Sequence, residues 1–358
     1  MFYREAGQFK TTYAADQAIF PIRQDRIAMF IILGIAFLVV PFTLNDFRLN
    51  AIWLPFLIYS LAALGLNILT GYCGQVSLGT GAFMGVGAYA AFKLMTAFPE
   101  LNVVVVFLAS GLVTAAVGMI FGLPSLRIKG FYLAVATLAA QFFLVWLFYK
   151  WGWLRNYSNT GQINTPSREI FGFLVTGPRA NDVAKYLLTL SVVTVLALAA
   201  KNMARGRLGR CWMAIRDMDI AAELMGIRPL QTKLSAFGVS SFYVGVAGAM
   251  LFSIWLGAAE AGETFGVQAS FNVLFMVIIG GLGTILGSFL GAAFLVLLPL
   301  FLRLVFIDGL GMSAVHAQHT QIVVLGVLII LFLILEPHGL ARLWQIVKEK
   351  LRLWPYPH

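Results

Sequence analysis

The chain has 358 residues, of which 60% are hydrophobic and 11% charged, with a mean hydropathy of +0.87. A soluble globular chain carries roughly a quarter charged residues, so this composition excludes one and makes lipid the solvent. The net charge of +10 would suggest nucleic acid for a soluble protein; here Lys and Arg belong to membrane faces near anionic lipid, and nucleic acid is excluded as a partner.

The first long apolar run starts near Ile27, after a mixed-charge lead containing Glu5, Asp16 and Asp25. No small-residue cleavage site follows its end at Pro41, so it reads as a retained helix and not a signal peptide. Stretches long enough to cross a bilayer, about 20 mostly apolar residues each, recur near 27 to 44, 51 to 69, 81 to 98, 101 to 123, 131 to 149, 185 to 200, 233 to 257, 268 to 283, 285 to 305 and 320 to 336. The eighth is short. The expected fold is an all-α, polytopic transmembrane bundle of about ten spans. It comprises an amino-terminal segment over 1 to 26, one membrane domain over 27 to 340 and a carboxy-terminal tail over 341 to 358.

Orientation follows from the Lys and Arg asymmetry. With the amino terminus cytoplasmic, the inner segments hold Arg127, Lys129, Lys201, Arg205, Arg207, Arg210, Arg216, Arg228, Lys233, Arg342, Lys348, Lys350 and Arg352. The outer segments keep scattered charges: Arg48, Arg155, Arg168, Arg179, Glu260, Glu263 and Asp308. An even number of spans then puts both termini in the cytoplasm. Cys73 and Cys211 fall on that side, where thiols stay reduced, and they imply neither a disulfide nor a metal site.

Two loops stand out. The outer one, over 150 to 184, is rich in Asn, Gly, Pro and Thr and is flanked by Trp146, Tyr149, Trp151 and Trp153 at interface depth; it reads as a surface cap. The inner one, over 201 to 232, is patterned. Between Cys211 and Met225 it has neither Gly nor Pro, Gly226 can cap a helix, and Pro229 follows. At about 100° per residue, Ile215, Met218, Ala222 and Met225 share one side, and Arg216, Asp219 and Glu223 another. Such a helix lies on the membrane surface or docks into a groove on a cytosolic partner.

The stretch from Gly71 to Tyr89 is interrupted by Gly71, Gly74, Gly79, Gly81, Gly85 and Gly87 and carries Gln75, Ser77 and Thr80. Irregular backbone at membrane depth must be covered by protein or line a watery cavity, and transporters use such broken helices to hold solute. Close helix packing through Gly81 and Gly85 is the alternative, and the two are compatible. Gly118 with Gly122, and Gly283, Gly287 and Gly291, read as packing ladders. Glycine-rich breaks in each half hint at an inverted repeat. Asn67, Gln141 and Asn272 lie within spans, where polar groups line pathways or bond neighbouring helices. Lys93 snorkels to the outer interface. His316, His319 and Asp308 share an outer loop too open for metal ligation.

Apart from Arg303 near an outer end, no span centre carries Asp, Glu or Arg. Ion-coupled carriers place ionisable groups at midplane, so energy is expected from outside the membrane domain. The sequence has no GxxxxGK[ST] phosphate loop, paired carboxylates, nucleophile elbow or HExxH, and an enzymatic role finds no candidate residues.

The inner-loop helix, bordered by Gly-Arg and followed by Ala-Ala-x-x-x-Gly-Ile, resembles the coupling loop of branched-chain amino acid ABC importer permeases of the LivM type. Also similar are GYCGQVSLGTGAFMGVGAY from Gly71, LRIKGFYLAVATLA from Leu126 and IIGGLGTILGSFLGA from Ile278, in family order. The resemblance implies a ten-spanning inner-membrane permease, paired with a second permease (LivH-type). Two ATP-binding subunits (LivG/LivF-type) would bind the ATP and Mg, and a periplasmic solute-binding protein would deliver solute. It makes Ala214, Arg216, Asp217, Ala222, Glu223 and Gly226 the ATPase-coupling residues. The broken stretch itself puts Gly74, Gln75, Ser77 and Thr80 on the expected substrate pathway, together with the in-span Asn272. No cofactor is expected on this chain itself. Hydrophobic amino acids come first as solutes, with urea, amides or aromatic acids as alternatives within the family; a self-sufficient carrier or channel is the rival class.

Overall fold

The computed structural model describes residues 9, 11–12, 18, 20, 23–43, 45–125, 132–158, 161–170, 172–177, 180–335 and 339–353. Glu5 and Asp16 of the charged lead, and Arg127, Lys129 and Arg179, used above for orientation, lie outside them. The apolar runs become helices: α1 Gln24–Thr43, α2 Asp46–Tyr72, α3 Thr80–Ala97, α4 Val103–Ser125, α5 Tyr132–Lys150 and α6 Asp182–Arg205. After α7 Arg207–Leu224 come α8 Pro229–Leu256, α9 Val267–Gly280, α10 Ile285–Gly309, α11 Ala314–Leu335 and α12 Leu340–Leu353. Among the described residues nine helical stretches are long and apolar enough to cross a membrane. The tenth expected span, α3, falls short in apolarity because Gly81, Gly85, Gly87 and Lys93 dilute it; yet it sits at the centre of the bundle.

The centre is built from backbone contact. α8 packs against α2, α3 and α4, while α2 packs against α8, α9 and α10. Gly87 meets the backbone of Gly245, and Gly248 meets that of Met84. Lipid supplies no hydrophobic drive between helices, so close van der Waals approach through small residues holds them together. Gly118 lies against Ser241 and Gly122 against Phe237, while Gly280 and Gly291 let α9 and α10 touch. Buried hydroxyls are satisfied within their own helices: Ser60, Ser110 and Thr114 each donate to the carbonyl four residues earlier.

The two halves correspond. α2 ends in a π-turn at Ile68–Tyr72 and α8 in one at Leu251–Leu256. α2 is followed by non-helical chain over 74–79 and then α3; α8 is followed by a short strand, the single helical turn Ala261–Thr264 and then α9. α3 packs closely on its successor α4, and α9 on α10. The start of α2 meets the end of α8, since Trp255 donates its indole N–H to the Asn50 carbonyl over 2.9 Å. The two elements therefore run in opposite directions, as an inverted repeat requires.

The loop read as a cap carries short strands: β1 Gln162–Asn164, β2 Arg168–Ile170 and β3 Phe173–Thr176. β2 pairs with β3, and β1 pairs with β4 Ala258–Glu260. The cap is thus stitched to the segment between α8 and α9. At the opposite end lie α7, the turn between α9 and α10, and α12. The expected tail at 341 to 358 is helical through Leu353.

Candidate functional site

α7 begins after Gly206 and anchors itself through Trp212, which is fully buried and donates Nε1–H to Ser235 Oγ over 2.9 Å. A single amphipathic helix was expected; the chain instead breaks at Met218, whose φ of −160° and ψ of 96° are extended. The break rotates everything beyond it. Ile215 and Ala222 face inward, but Met218 and Met225 are turned out, 65% and 73% exposed. The helix then closes at Gly226, with φ of +88°. Its N–H bonds the Glu223 carbonyl over 2.9 Å and the Ile227 N–H bonds Ala222 over 3.0 Å, the Schellman arrangement that glycine permits. Pro229 opens α8 directly after.

The face left bare holds Met218, Ile220, Leu224 and Met225 beside Asp217 and Glu223. Of the six residues expected to couple to an ATPase, Arg216, Asp217, Glu223 and Gly226 are exposed, Ala214 is half-buried and Ala222 is fully buried. Ala222 therefore acts through packing. The apolar part of this face escaped the wheel argument because one non-helical residue destroys the phase on which that argument depends. The run Leu224-Met225 next to a glycine cap was its only trace in the sequence.

Arg216 is half turned into the bundle. Its Nε donates to Asp217 Oδ1 over 2.9 Å, and its Nη1 donates to the Gly71 carbonyl at the end of α2 over 3.0 Å. The side chain also covers Gly74, where an added Cβ would sit 2.9 Å from Arg216 Cγ. Gly71 itself touches Asn67 and Gly283. Asn67, fully buried, donates Nδ2 to the Thr284 carbonyl (2.7 Å) and to Ser288 Oγ (3.0 Å), and accepts the Gly283 N–H (2.8 Å). One arginine thus joins α7 to the end of α2 and, through Asn67, to the turn between α9 and α10. Cys73 is buried in the same turn. Burial pushes its thiol up to about 12, against the opposing pull of the Lys233 charge.

From Gly74 the chain runs without helix to Gly79. The Leu78 N–H bonds Thr137 Oγ1 on α5 over 2.9 Å. At the start of α3, where helical N–H groups have no intrahelical acceptor, Gly81 donates to Ser270 Oγ (2.8 Å) and Ala82 to Gln141 Oε1 (2.7 Å). Gln141, fully buried midway along α5, also donates Nε2 to the Phe265 carbonyl just ahead of α9 (2.7 Å) and accepts from Ser270 Oγ (2.9 Å). One amide therefore clasps the beginnings of α3 and α9, the matching helices of the two halves.

Among the expected pathway residues, Ser77 and Thr80 are buried within this connection, Gln75 is half-buried and Gly74 lies exposed beside Arg216. Asn272 stands apart: on the outward face of α9 it accepts a bond from Gln268 over 3.2 Å, both side chains exposed. His316 bonds Ser313 through Nδ1, and among the described residues no three His, Cys, Asp or Glu side chains group as metal ligands.

A multi-pass membrane bundle with a broken, hydrogen-bonded interior and an exposed helix strapped to it defines a membrane permease. The family described as branched-chain amino acid transport system, permease component, matches residues 49–333, and the chain belongs to it. It is 30% identical over 307 residues to the high-affinity branched-chain amino acid transport system permease protein LivM of Salmonella typhimurium, covering 79% of this chain and 68% of that one. The LivM protein of Escherichia coli gives the same identity and coverage. The BraD permease protein of Pseudomonas aeruginosa is 25% identical over 309 residues, covering 81% of this chain and 93% of that one. No solved structure matches.

Proposed function

We propose that the chain is the membrane-spanning subunit of an ATP-driven importer in the bacterial inner membrane, supplying half of a pathway for branched-chain amino acids. Of two ATP-binding subunits of the LivG/LivF type, one would seat on the α7 face, with Met218, Ile220, Leu224 and Met225 as apolar contacts and Asp217 and Glu223 as polar ones. This orients α7 and both termini to the cytoplasm, in line with the Lys and Arg bias of the sequence. A second permease of the LivH type would cover the outward face of α9. There the Gln268 and Asn272 pair is costly in lipid but suited to a solute path. A solute-binding protein would deliver at the strand cap.

The observation that carries the reading is the Arg216 to Gly71 bond. A displacement of α7 by a nucleotide-driven partner passes through that guanidinium to the end of α2, along 74–79, and into the Gln141 clasp that sets the beginnings of α3 and α9. Opening one break as the other closes is alternating access. The test is the Met218→Asp, Leu224→Asp double variant in cells carrying the partner subunits. Membrane insertion should persist while the ATP-binding subunits no longer co-purify and uptake falls to background; undiminished uptake overturns the assignment. Uphill accumulation by the chain alone in liposomes without nucleotide would establish the self-sufficient carrier instead.

A further inference from the structure

α12 runs across the end of the bundle and does not project from it, because it is fixed at two points. Gly339, just before its first turn, packs on the turn between α9 and α10; an added Cβ there would sit 2.6 Å from Gly281 Cα. Nine residues later Lys348 pairs with Asp25 at the start of α1, Nζ to Oδ1 3.7 Å. At 1.5 Å per residue these anchors are about 13 Å apart along the helix, which holds its axis against the bundle end. Ala341 is buried on the inner side.

The other side is apolar and bare. Leu343, Trp344, Val347 and Leu351 share one helical face, and all four are exposed. Leu340, at the head of this stripe, lines a groove with Leu290, Phe294, Leu297 and Phe301 of α10, on a wall whose Leu297 and Phe301 face outward at membrane depth. The stripe is therefore continuous with the lipid-facing surface. Beside it the charge is positive. Arg342 and Lys350 are exposed. Lys348 sits 3.7 Å from Asp25, and Lys201, near the end of α6, rests its Nζ 3.6 Å over the Phe20 ring within electrostatic reach of Asp25, Arg205 and Lys348.

We propose that α12 is an in-plane membrane helix: its stripe lies among the upper acyl chains of the adjoining leaflet, and the Lys201, Arg205 and Lys348 corner binds the headgroup of an anionic phospholipid. An amphipathic helix with a basic face and an interfacial Trp sits at that boundary, and basic pockets between spans select anionic headgroups. The charged corner ties the lipid to the start of α1 and the end of α6, so lipid binding stabilises the arrangement of both spans.

The experiment uses the full chain in bilayer nanodiscs of phosphatidylethanolamine and phosphatidylglycerol, with Cys73 and Cys211 replaced by Ala and a nitroxide at Val347→Cys or Glu349→Cys. The label at 347 should be several-fold more open to oxygen than to a water-soluble nickel chelate, with the ratio reversed at 349. Equal exposure to the chelate at both positions overturns the in-plane placement. So does protection at 347 that arises only on adding the ATP-binding subunits, which would make the stripe a protein interface. Replacing phosphatidylglycerol by phosphatidylcholine should lower the thermal midpoint of the wild-type chain by several degrees, a ligand-linked loss of stability, and leave the Lys201→Gln, Lys348→Gln variant unmoved. An equal drop in both overturns the headgroup site.

Discussion

The central helices and the outer ones are made from similarly apolar sequence yet occupy different surroundings. α2 and α8 have hydropathies of 1.9 and 1.7 and are 78% buried; α1 and α11 have 2.3 and 1.8 and are 11% and 6% buried. Hydropathy reports only that a segment avoids water, and both lipid and protein satisfy that. What separates the groups is small and polar residues. Gly245, Gly248 and the serines of α8 bring backbones together, whereas Leu, Ile and Val along α11 stand on the outside of the bundle. α3 is the limiting case, the least apolar of the ten yet buried along nearly its whole length.

The sharpest way to break this contrast is to place the same substitution in each class. Gly87→Leu would drive a side chain into the Gly245 backbone. Overpacking costs about 1–3 kcal/mol where side chains can yield; with backbone opposite, loss of the folded bundle is expected, read as absence of a monodisperse peak after detergent extraction. Gly326→Leu on α11, where nothing lies within 4 Å, should leave that peak unchanged. Equal effects would show that burial does not separate the two groups.

The next effect separates motion from stability. Arg216→Ala removes a charged hydrogen bond worth roughly 1.5–3 kcal/mol, so uptake should fall about tenfold or more while the thermal midpoint of the purified chain falls by only a few degrees. Full uptake would mean that α7 reaches the spans by another route. Smaller still, Gln141→Leu leaves the Ala82 N–H and the Phe265 carbonyl without their partner. Interhelical hydrogen bonds in membranes average about 0.6 kcal/mol, so a fall of that order to roughly 2 kcal/mol is expected in an unfolding titration, accompanied by reduced uptake. The smallest difference lies between the thiols. Cys73, fully buried and with its acidity suppressed by burial, should resist maleimide at neutral pH in the folded chain, while half-buried Cys211 reacts. Ready labelling of Cys73 at pH 7 would show that the turn opens.

Much of the site could be read from residue order. The helix cap at Gly226, the break between Gly74 and Gly79 and the unusual Asn67 and Gln141 were all visible, because each depends on local backbone rules or on the rarity of amides in lipid. Their partners were not visible. Nothing near Arg216 in the chain points to Gly71, 145 residues away, nor does Gln141 announce Phe265, since such bonds follow from which helices become neighbours. The bare apolar face of α7 was misread for a related reason: a single extended residue, Met218, resets the helical phase, and a wheel assumes no reset.

Length and apolarity determined by themselves that this chain is a polytopic helical membrane bundle, because the cost of burying backbone polar groups in lipid leaves helices as the only form for such runs; its place among permeases came from the motifs it shares with that family. Tertiary structure alone decided which helices are buried among others and which stand outside, that Asn67 and Gln141 bond neighbouring helices, and that Arg216 joins the exposed helix to the break between α2 and α3. Those outcomes depend on contacts between residues far apart in the chain, and a one-dimensional pattern carries no record of them.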